Sequence, residues 1–487
     1  MTEEINSTKK LDPGLLKIAL ILAFGALAPL LDSTMVNIAI DTMTKDLHTT
    51  LSAMQWAVTG YTLMMGITVP LAGWATDRFN GKWVYTTAMV FFLVGSTLSG
   101  ISTSMDTLLV GRVIQGAGAG LLMPALTTLL MRAANGQKLG KIMAIVAMPI
   151  MIAPVLGPTL GAIIVQNFNW HMMFWVNIPI SIIAIILVVL FLPSMPGIKP
   201  KLKIDFVGIA LLSGLFAALI IGVSNLKTNV SFFSQHDVVL AVSLAIVAAI
   251  LYVVYALVKP ASVIVSLKLF KNRNFNMTTL LLLVAGITTN GPMLILPLYM
   301  QGVSKGIASF GKNELLMSGI IMGAQAVGMF VTRTWAGNLS DSRGPRIPVM
   351  IGLAGAVVFT LPFVWIDPST NLWFLAGILF LRGAFMGMVS VPLMMGAFVG
   401  APKEDISQIS VATRIIQNVG GSAGSAVLAM IVANIALNSV KATPVLTMSH
   451  AYNMGFAWSA GFSLLAIIPA LFLASHKADP KPAKEVA

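Results

Sequence analysis

Of the seventeen carboxylates in this 487-residue chain, Asp32 alone stands deep inside an apolar run. An ionisable group in such a place is costly, and it is retained where protons or ions have to pass. Asp32 lies nine residues before Asp41, about 13 Å at 1.5 Å per residue; Arg112 is about 9 Å beyond Asp106, and Gln115 about 13 Å. If the runs that carry them are neighbours, acid, guanidinium and amide share one level. Asp32 can then exchange between protonated and ionised forms, which is the chemistry of a proton carrier. The plainer alternatives are a helix-bending or capping Asp32, and an Arg112 that only ties helices together through carbonyls.

Arg382 is a second deep arginine, about ten residues inside its own run and ~15 Å from the end. Two deep arginines against one deep carboxylate do not suit a dicationic cargo. They point to a neutral, zwitterionic or anionic amphiphile whose polar group meets Arg382 or Arg112; the alternative is an Arg382 that only reaches a backbone carbonyl or a water-filled pocket. Asn37, Gln55, Tyr61, Gln115, Asn290, Tyr299, Gln325, Gln417 and Asn418 are the polar residues expected to line its cavity. Thirty methionines, among them Met65 and Met293, supply adaptable apolar surface. Gly116, Gly118, Gly120, Gly420 and Gly424 are small faces at which helices either slide or pack closely.

The elements that must position these groups are set by composition. The apolar residues are 57% of the chain and charged ones only 10%, against ~25% in a soluble domain. The apolar runs approach the ~20 residues that cross a bilayer as a helix. Fourteen spans are expected, at about 15–40, 52–74, 83–102, 105–131, 140–164, 170–192, 205–226, 237–257, 274–302, 314–338, 346–365, 372–398, 408–436 and 452–474. Lys45, Lys227, Lys305, Lys312 and Lys441 are the only basic residues on one side of that arrangement, and 23 fall on the other. The asymmetry puts both termini in the cytoplasm and accounts for the net charge of +13 without a nucleic-acid partner. The absence of cysteine excludes disulfides and thiol chemistry. Ala26-Leu27-Ala28 looks like a signal-peptide cleavage site, but the helical pattern continues past it and the first span is read as retained.

Two loops share one design. Gly73-Trp74-Ala75-Thr76-Asp77-Arg78-Phe79-Asn80-Gly81-Lys82 follows the second span, and Gly337-Asn338-Leu339-Ser340-Asp341-Ser342-Arg343-Gly344-Pro345-Arg346 follows the tenth. The repeat implies two related six-helix halves, residues 15–192 and 274–474. Between them a linker, residues 193–273, carries an inserted pair at about 205–226 and 237–257; residues 1–14 and 475–487 are cytoplasmic tails. In each loop the glycine lets helices approach, the aspartate can cap a neighbouring helix, and the basic residues can hold a carboxylate.

These paired loops resemble the signature of the major facilitator superfamily, and the chain resembles its fourteen-span drug:proton antiporter branch over nearly all of residues 15–474. The similar stretches are Leu31 to Ala39; Trp56, Tyr61 and Pro70; Leu109 to Gly116; Gly157 to Ala162; Pro297 to Gln301; and Gln417 to Ser422. The resemblance implies an all-α integral membrane fold in which spans one and four are neighbours, with Asp32 and Arg112 in proton coupling. It gives Gly73, Asp77, Arg78, Lys82, Gly337, Asp341, Arg343 and Arg346 a part in conformational change. Pro154, Gly157, Pro158 and Gly161 would belong to an antiport motif. Departures are Asn80 and Gly81 in the first loop, Ala162 in place of a glycine, and His171 where an arginine is usual.

Other motifs carry little. Gly306 to Lys312 spells most of a phosphate-cradling loop, but Asn313 occupies the Ser/Thr place. The five histidines have no ligand spacing, so no metal site is expected. The reading is therefore a secondary transporter, not an enzyme. It is a monomer in a bacterial cell membrane, in contact with lipid, that exports an amphipathic small molecule in exchange for protons. The proton gradient takes the place of a cofactor. The alternatives are proton-coupled uptake of a metabolite and a membrane-embedded lipid-modifying protein.

Overall fold

A computed structural model of the chain describes residues 12–135, 141–144, 146, 156–157, 160–161, 163–225, 234–259, 263–304, 314–439 and 443–473. The described residues form thirteen α-helices and no strand. They are α1 (Pro13–Asp46), α2 (Leu51–Arg78), α3 (Gly81–Gly100), α4 (Met105–Ala134), α5 (Met172–Phe191), α6 (Phe206–Ser224), α7 (His236–Val258), α8 (Arg273–Gly302), α9 (Glu314–Arg343), α10 (Arg346–Thr360), α11 (Leu372–Gly396), α12 (Ile406–Asn438) and α13 (Pro444–Ala470). Most of the expected fifth span, with Pro154 and Pro158, lies outside the described residues, as do the two tails beyond residues 12 and 473 and the segment Gly306 to Lys312. The described pieces of that span are helical.

Helices begin where a polar side chain satisfies free backbone N–H groups. Asp12 accepts from Leu15 N at 3.1 Å, Thr50 from Ala53 N at 3.1 Å, Asp205 from Gly208 N at 2.9 Å and Asn272 from Asn274 N at 2.9 Å. Gly344 takes φ +80° in the turn between α9 and α10, which a side chain would strain. Eleven of the helices are long and apolar enough to cross a membrane; α2 and α9, 28 and 30 residues long, are less apolar. Large apolar side chains such as Leu244, Ile250 and Trp373 stay exposed on the outside, as lipid-facing residues do.

Two groups of helices repeat one packing pattern. In the first, α4 lies along α2 and α3; in the second, α11 lies along α9 and α10. Glycine sets both close crossings. A Cβ on Gly116 or Gly120 would strike the carbonyls of Tyr61 or Met65 in α2, and a Cβ on Gly383 or Gly387 those of Gln325 or Met329 in α9. Gly420 and Gly424 of α12 meet α8 at Leu283 and Ile287 in the same way. The pair α6 and α7 pack on each other, and α6 wedges against α2 and α12, where Ser213 Oγ donates to Ile67 O at 2.8 Å.

Arg333 and Arg414 fall within the expected spans 314–338 and 408–436 yet count among the 23 basic residues of one side, and both lie well inside helices. Arg333 in α9 is fully buried and donates from Nη2 to the Ala144 carbonyl; Arg414, eight residues into α12, faces a cavity. The positive-inside count cannot separate a charge in a loop from one a turn or two into the helix, because it scores distance along the chain only.

Candidate functional site

Asp32 sits near the middle of α1, fully buried, three residues after Pro29. Three side chains from two other helices donate to it. Arg112 of α4 donates from Nη1 to Oδ2, Gln115 from Nε2 to Oδ1 at 3.3 Å, and Asn177 of α5 from Nδ2 to Oδ1 at 2.9 Å. The level that helical rise assigned to Asp32, Arg112 and Gln115 is where they meet. Arg112 is fixed from every side. Its Nε donates to Ala57 O at 3.1 Å, Nη1 also reaches Gln115 Oε1 at 3.0 Å, and the guanidinium lies 4.2 Å from the Tyr61 ring centre. The Tyr61 hydroxyl donates to Pro29 O at 3.2 Å, closing the ring of contacts onto α1. A buried ion pair this fully hydrogen-bonded offsets much of its own desolvation.

Asn177 is the member that sequence reasoning missed. An asparagine in the apolar run 170–192 is a signal of the same kind as Gln417, but only the fold brings α5 against α1 and α3. Its Nδ2 also donates to Ser96 Oγ at 3.3 Å, while its Oδ1 is buried with no hydrogen-bond partner. Gly157 and Gly161, from the antiport stretch, press on α1 beside the acid: a Cβ on Gly157 would strike Thr34 and one on Gly161 would lie 3.1 Å from Met35 O.

The cavity is a separate feature, about 530 Å³, between α2, α6, α8 and α12. Gln417 and Asn418 line it as expected, with Met65 and Met293; Arg414 and the α6 residues Phe216, Ile220 and Val223 line it unexpectedly. The other expected lining residues go elsewhere. Tyr61 and Gln115 belong to the Asp32 site, Gln55 is exposed at the start of α2, and Tyr299 is buried with its hydroxyl on Asp367 O at 2.9 Å. The side chains of Asn37 and Asn290 lie outside the described residues. Arg382 is buried in the second group and donates to Thr360 Oγ1 at 3.0 Å, Gln325 Oε1 at 2.9 Å and Thr288 O at 3.1 Å, so it does not face the cavity.

The paired loops tie the two groups together. Asp77 is buried and accepts from Arg132 Nη2 at 2.6 Å and from Ser407 Oγ, at the start of α12, at 2.5 Å. Asp341 accepts from the backbone N–H of Lys141, at the start of the fifth segment, at 3.1 Å. Gly73 allows the approach, since a Cβ there would lie 2.8 Å from Val411 Cγ2. Arg78 donates to Leu202 O at 3.0 Å, and the Lys82 N–H to its cap Asn80 at 3.1 Å. Gly337 is buried in the last turns of α9, Arg343 is exposed at its end and Arg346 opens α10.

Comparison with known proteins agrees with this architecture. A "Multidrug resistance protein B homolog" of Mycobacterium tuberculosis is 28% identical over 97% of this chain and 93% of its own length. Multidrug export protein EmrB of Haemophilus influenzae is 28% identical over 86% and 82%, and lincomycin resistance protein LmrB of Bacillus subtilis 25% identical over 92% and 93%. Among solved structures, the human organic anion transporter MFSD10 superposes with a TM-score of 0.61 at 16% identity, over 94% of this chain and all of that one. A point mutant of the nucleoside transporter NupG gives 0.53 at 14%, over 94% and 99%. At such identities these two likenesses concern the fold. The family profile described as Major Facilitator Superfamily matches residues 22–425. The chain is thus a membrane transporter rather than an enzyme, with drug-efflux relatives in bacteria, and it belongs to the major facilitator superfamily.

Proposed function

We propose that the protein exports amphipathic small molecules from the cytoplasm in exchange for protons, by alternating access between two six-helix bundles, residues 15–192 and 274–474. The observation that carries this reading is the buried Asp32 and its three donors. As a carboxylate it accepts from Arg112, Gln115 and Asn177 at once. When it takes up a proton it loses its attraction for the guanidinium and becomes a donor itself, so the contacts of α1 with α4 and α5 must rearrange. Arg112 keeps its bonds to Ala57 O and Gln115 Oε1, which hold it in place for the next cycle. A helix contact that depends on protonation is what couples a proton to rocking of the bundles.

The Asp77 and Asp341 contacts join the bundles at the end read as cytoplasmic, and their release opens that side. The names of the relatives, which speak of multidrug export and lincomycin resistance, support export and varied cargo. The protein works as a monomer with both termini in the cytoplasm of a bacterium, without a cofactor, and takes its energy from the proton gradient. The test is purified protein in liposomes with an imposed pH gradient, in which cargo flux must drive counterflow of protons. Asp32→Asn should bind cargo yet abolish the counterflow, and normal pumping by the Asp32→Asn protein ends the proposal. Net flux in everted membrane vesicles distinguishes export from uptake.

A further inference from the structure

We infer that the cavity between α2, α6, α8 and α12 is a receptor for amphipathic organic anions, with Arg414 taking the acid group. This rests on the reading of the protein as a carrier of amphipathic small molecules and names the class.

Four arginines lie deep in the described helices; Arg333 of α9 donates to the Ala144 carbonyl, and two others are held by several partners each. Arg112 is paired with Asp32, and Arg382 directs its donors to Thr360, Gln325 and Thr288. Arg414 is different. It is half-buried, about 12 Å along α12 from Ile406, and its Nη1 donates to Gln417 Oε1 at a long 3.3 Å. Among the described residues the ion pairs are Arg112 with Asp32 and Arg132 with Asp77, so no carboxylate answers Arg414. A half-buried guanidinium without a counter-ion is costly, and its planar fork is shaped for a carboxylate.

The rest of the cavity fits the other end of such a molecule. The helix α12 lines it with Arg414, Gln417, Asn418 and Ser422, and α6 with Phe216, Ile220 and Val223. The α12 lining is polar and cationic, the α6 lining apolar. At about 530 Å³ the space is within the range of small-molecule sites. The apolar wall comes from the inserted pair, which gives α6 a part in cargo selection. It is seated closely: a Cβ on Gly66 of α2 would lie 3.3 Å from Phe216. The cavity also adjoins the Asp32 site through α2, since Thr62 lines it and the preceding residue, Tyr61, lies against Arg112 and within electrostatic range of Arg414. An anion on Arg414 therefore alters the field at Tyr61 and the Asp32 pair.

The experiment is equilibrium dialysis of the purified full-length protein in detergent with three probes of one skeleton: 4-(1-pyrenyl)butyrate, its primary amide and the corresponding amine. The carboxylate should bind about tenfold tighter than the amide, as expected for one added charge-assisted contact, and the amine weakest. Arg414→Gln should bring carboxylate and amide within about twofold, Arg414→Lys should keep most of the preference, and Phe216→Ala should weaken all three alike. Equal or tighter binding of the amide or amine to the unaltered protein overturns the inference, as does a preference that survives Arg414→Gln or binding of no probe. If Arg414→Gln does not stay monodisperse, the three probes on the unaltered protein still decide. Carboxylate-selective binding without pH-driven flux in liposomes would remove the antiport reading and leave this site standing. Proton-driven export of the amine with no carboxylate preference would do the reverse.

Discussion

Asp77 and Ser407, 330 residues apart, share a hydrogen bond of 2.5 Å that fastens the end of α2 to the start of α12. The second loop repeats the contact with the groups exchanged: Asp341 at the end of α9 accepts from the Lys141 N–H at the start of the fifth segment, where Arg333 also reaches the Ala144 carbonyl. Asp77 therefore places its negative charge at the N-terminus of α12, where the helix dipole favours it, and Asp341 meets a backbone N–H of the first half of the chain. The repeated loop motif is thus a crossed pair of fasteners at one end of the molecule.

Cutting one fastener should loosen that end. Asp77→Asn removes the charge that Arg132 and Ser407 share, and a hydrogen bond to a charged group is worth about 1.5–3 kcal/mol. The native chain has no cysteine, so spin labels at Phe79 and Lys403, both exposed, can be introduced without background. Electron–electron resonance should show a single short distance in the parent and an added longer population in Asp77→Asn. An unchanged distribution would exclude the fastening role.

Removal of Asn177 should damage coupling more than folding. Asn177→Leu keeps the volume roughly and deletes a 2.9 Å donor to Asp32, leaving Arg112 and Gln115 in place. Losing one donor to a buried carboxylate costs about 1–3 kcal/mol. Proton-driven flux should fall about tenfold or more with a displaced pH profile, while the melting temperature in detergent changes little. A flux profile identical to the parent would relegate Asn177 to packing.

Glycine at 116 is set by backbone contact. A Cβ there meets the Tyr61 carbonyl, so Gly116→Val must push α4 off α2 and carry Arg112 away from Asp32. Overpacking of this kind costs about 1–3 kcal/mol, and transport should be lost with it. Gly377→Ala in α11, where a Cβ meets nothing within 4 Å, is the matched control and should behave as the parent in both thermal stability and flux.

Arg382 and Arg414 should separate by phenotype. Arg382→Gln strips donors from Thr288 O, Gln325 and Thr360 in a buried place, and leaving buried acceptors unsatisfied should lower stability by about 1–3 kcal/mol. The ratio of binding constants for pyrenylbutyrate and its amide should not move in whatever protein remains folded. A changed ratio would bring Arg382 back into contact with cargo.

Depth was legible in the sequence, and so was class. Long apolar runs can only be helices in lipid, a lone Asp32 among them stood out, and helical rise placed Arg112 and Gln115 at its level. The doubled loop motif disclosed the repeat, and Gln417 and Asn418 were found as cavity residues because polar side chains are conspicuous in apolar helices. What the chain does not reveal by itself is direction around each helix. In a membrane both the lipid side and the packed side are apolar, so no stripe of polarity says which way Asn177, Arg382 or Tyr299 points. The tertiary structure decided that Asn177 joins the acid, that Arg382 is satisfied by its neighbours while Arg414 is left facing open space, and that α6 walls the cavity. Each is a matter of which helices touch and at what rotation, and that depends on glycine-sized gaps meeting backbone carbonyls far along the chain.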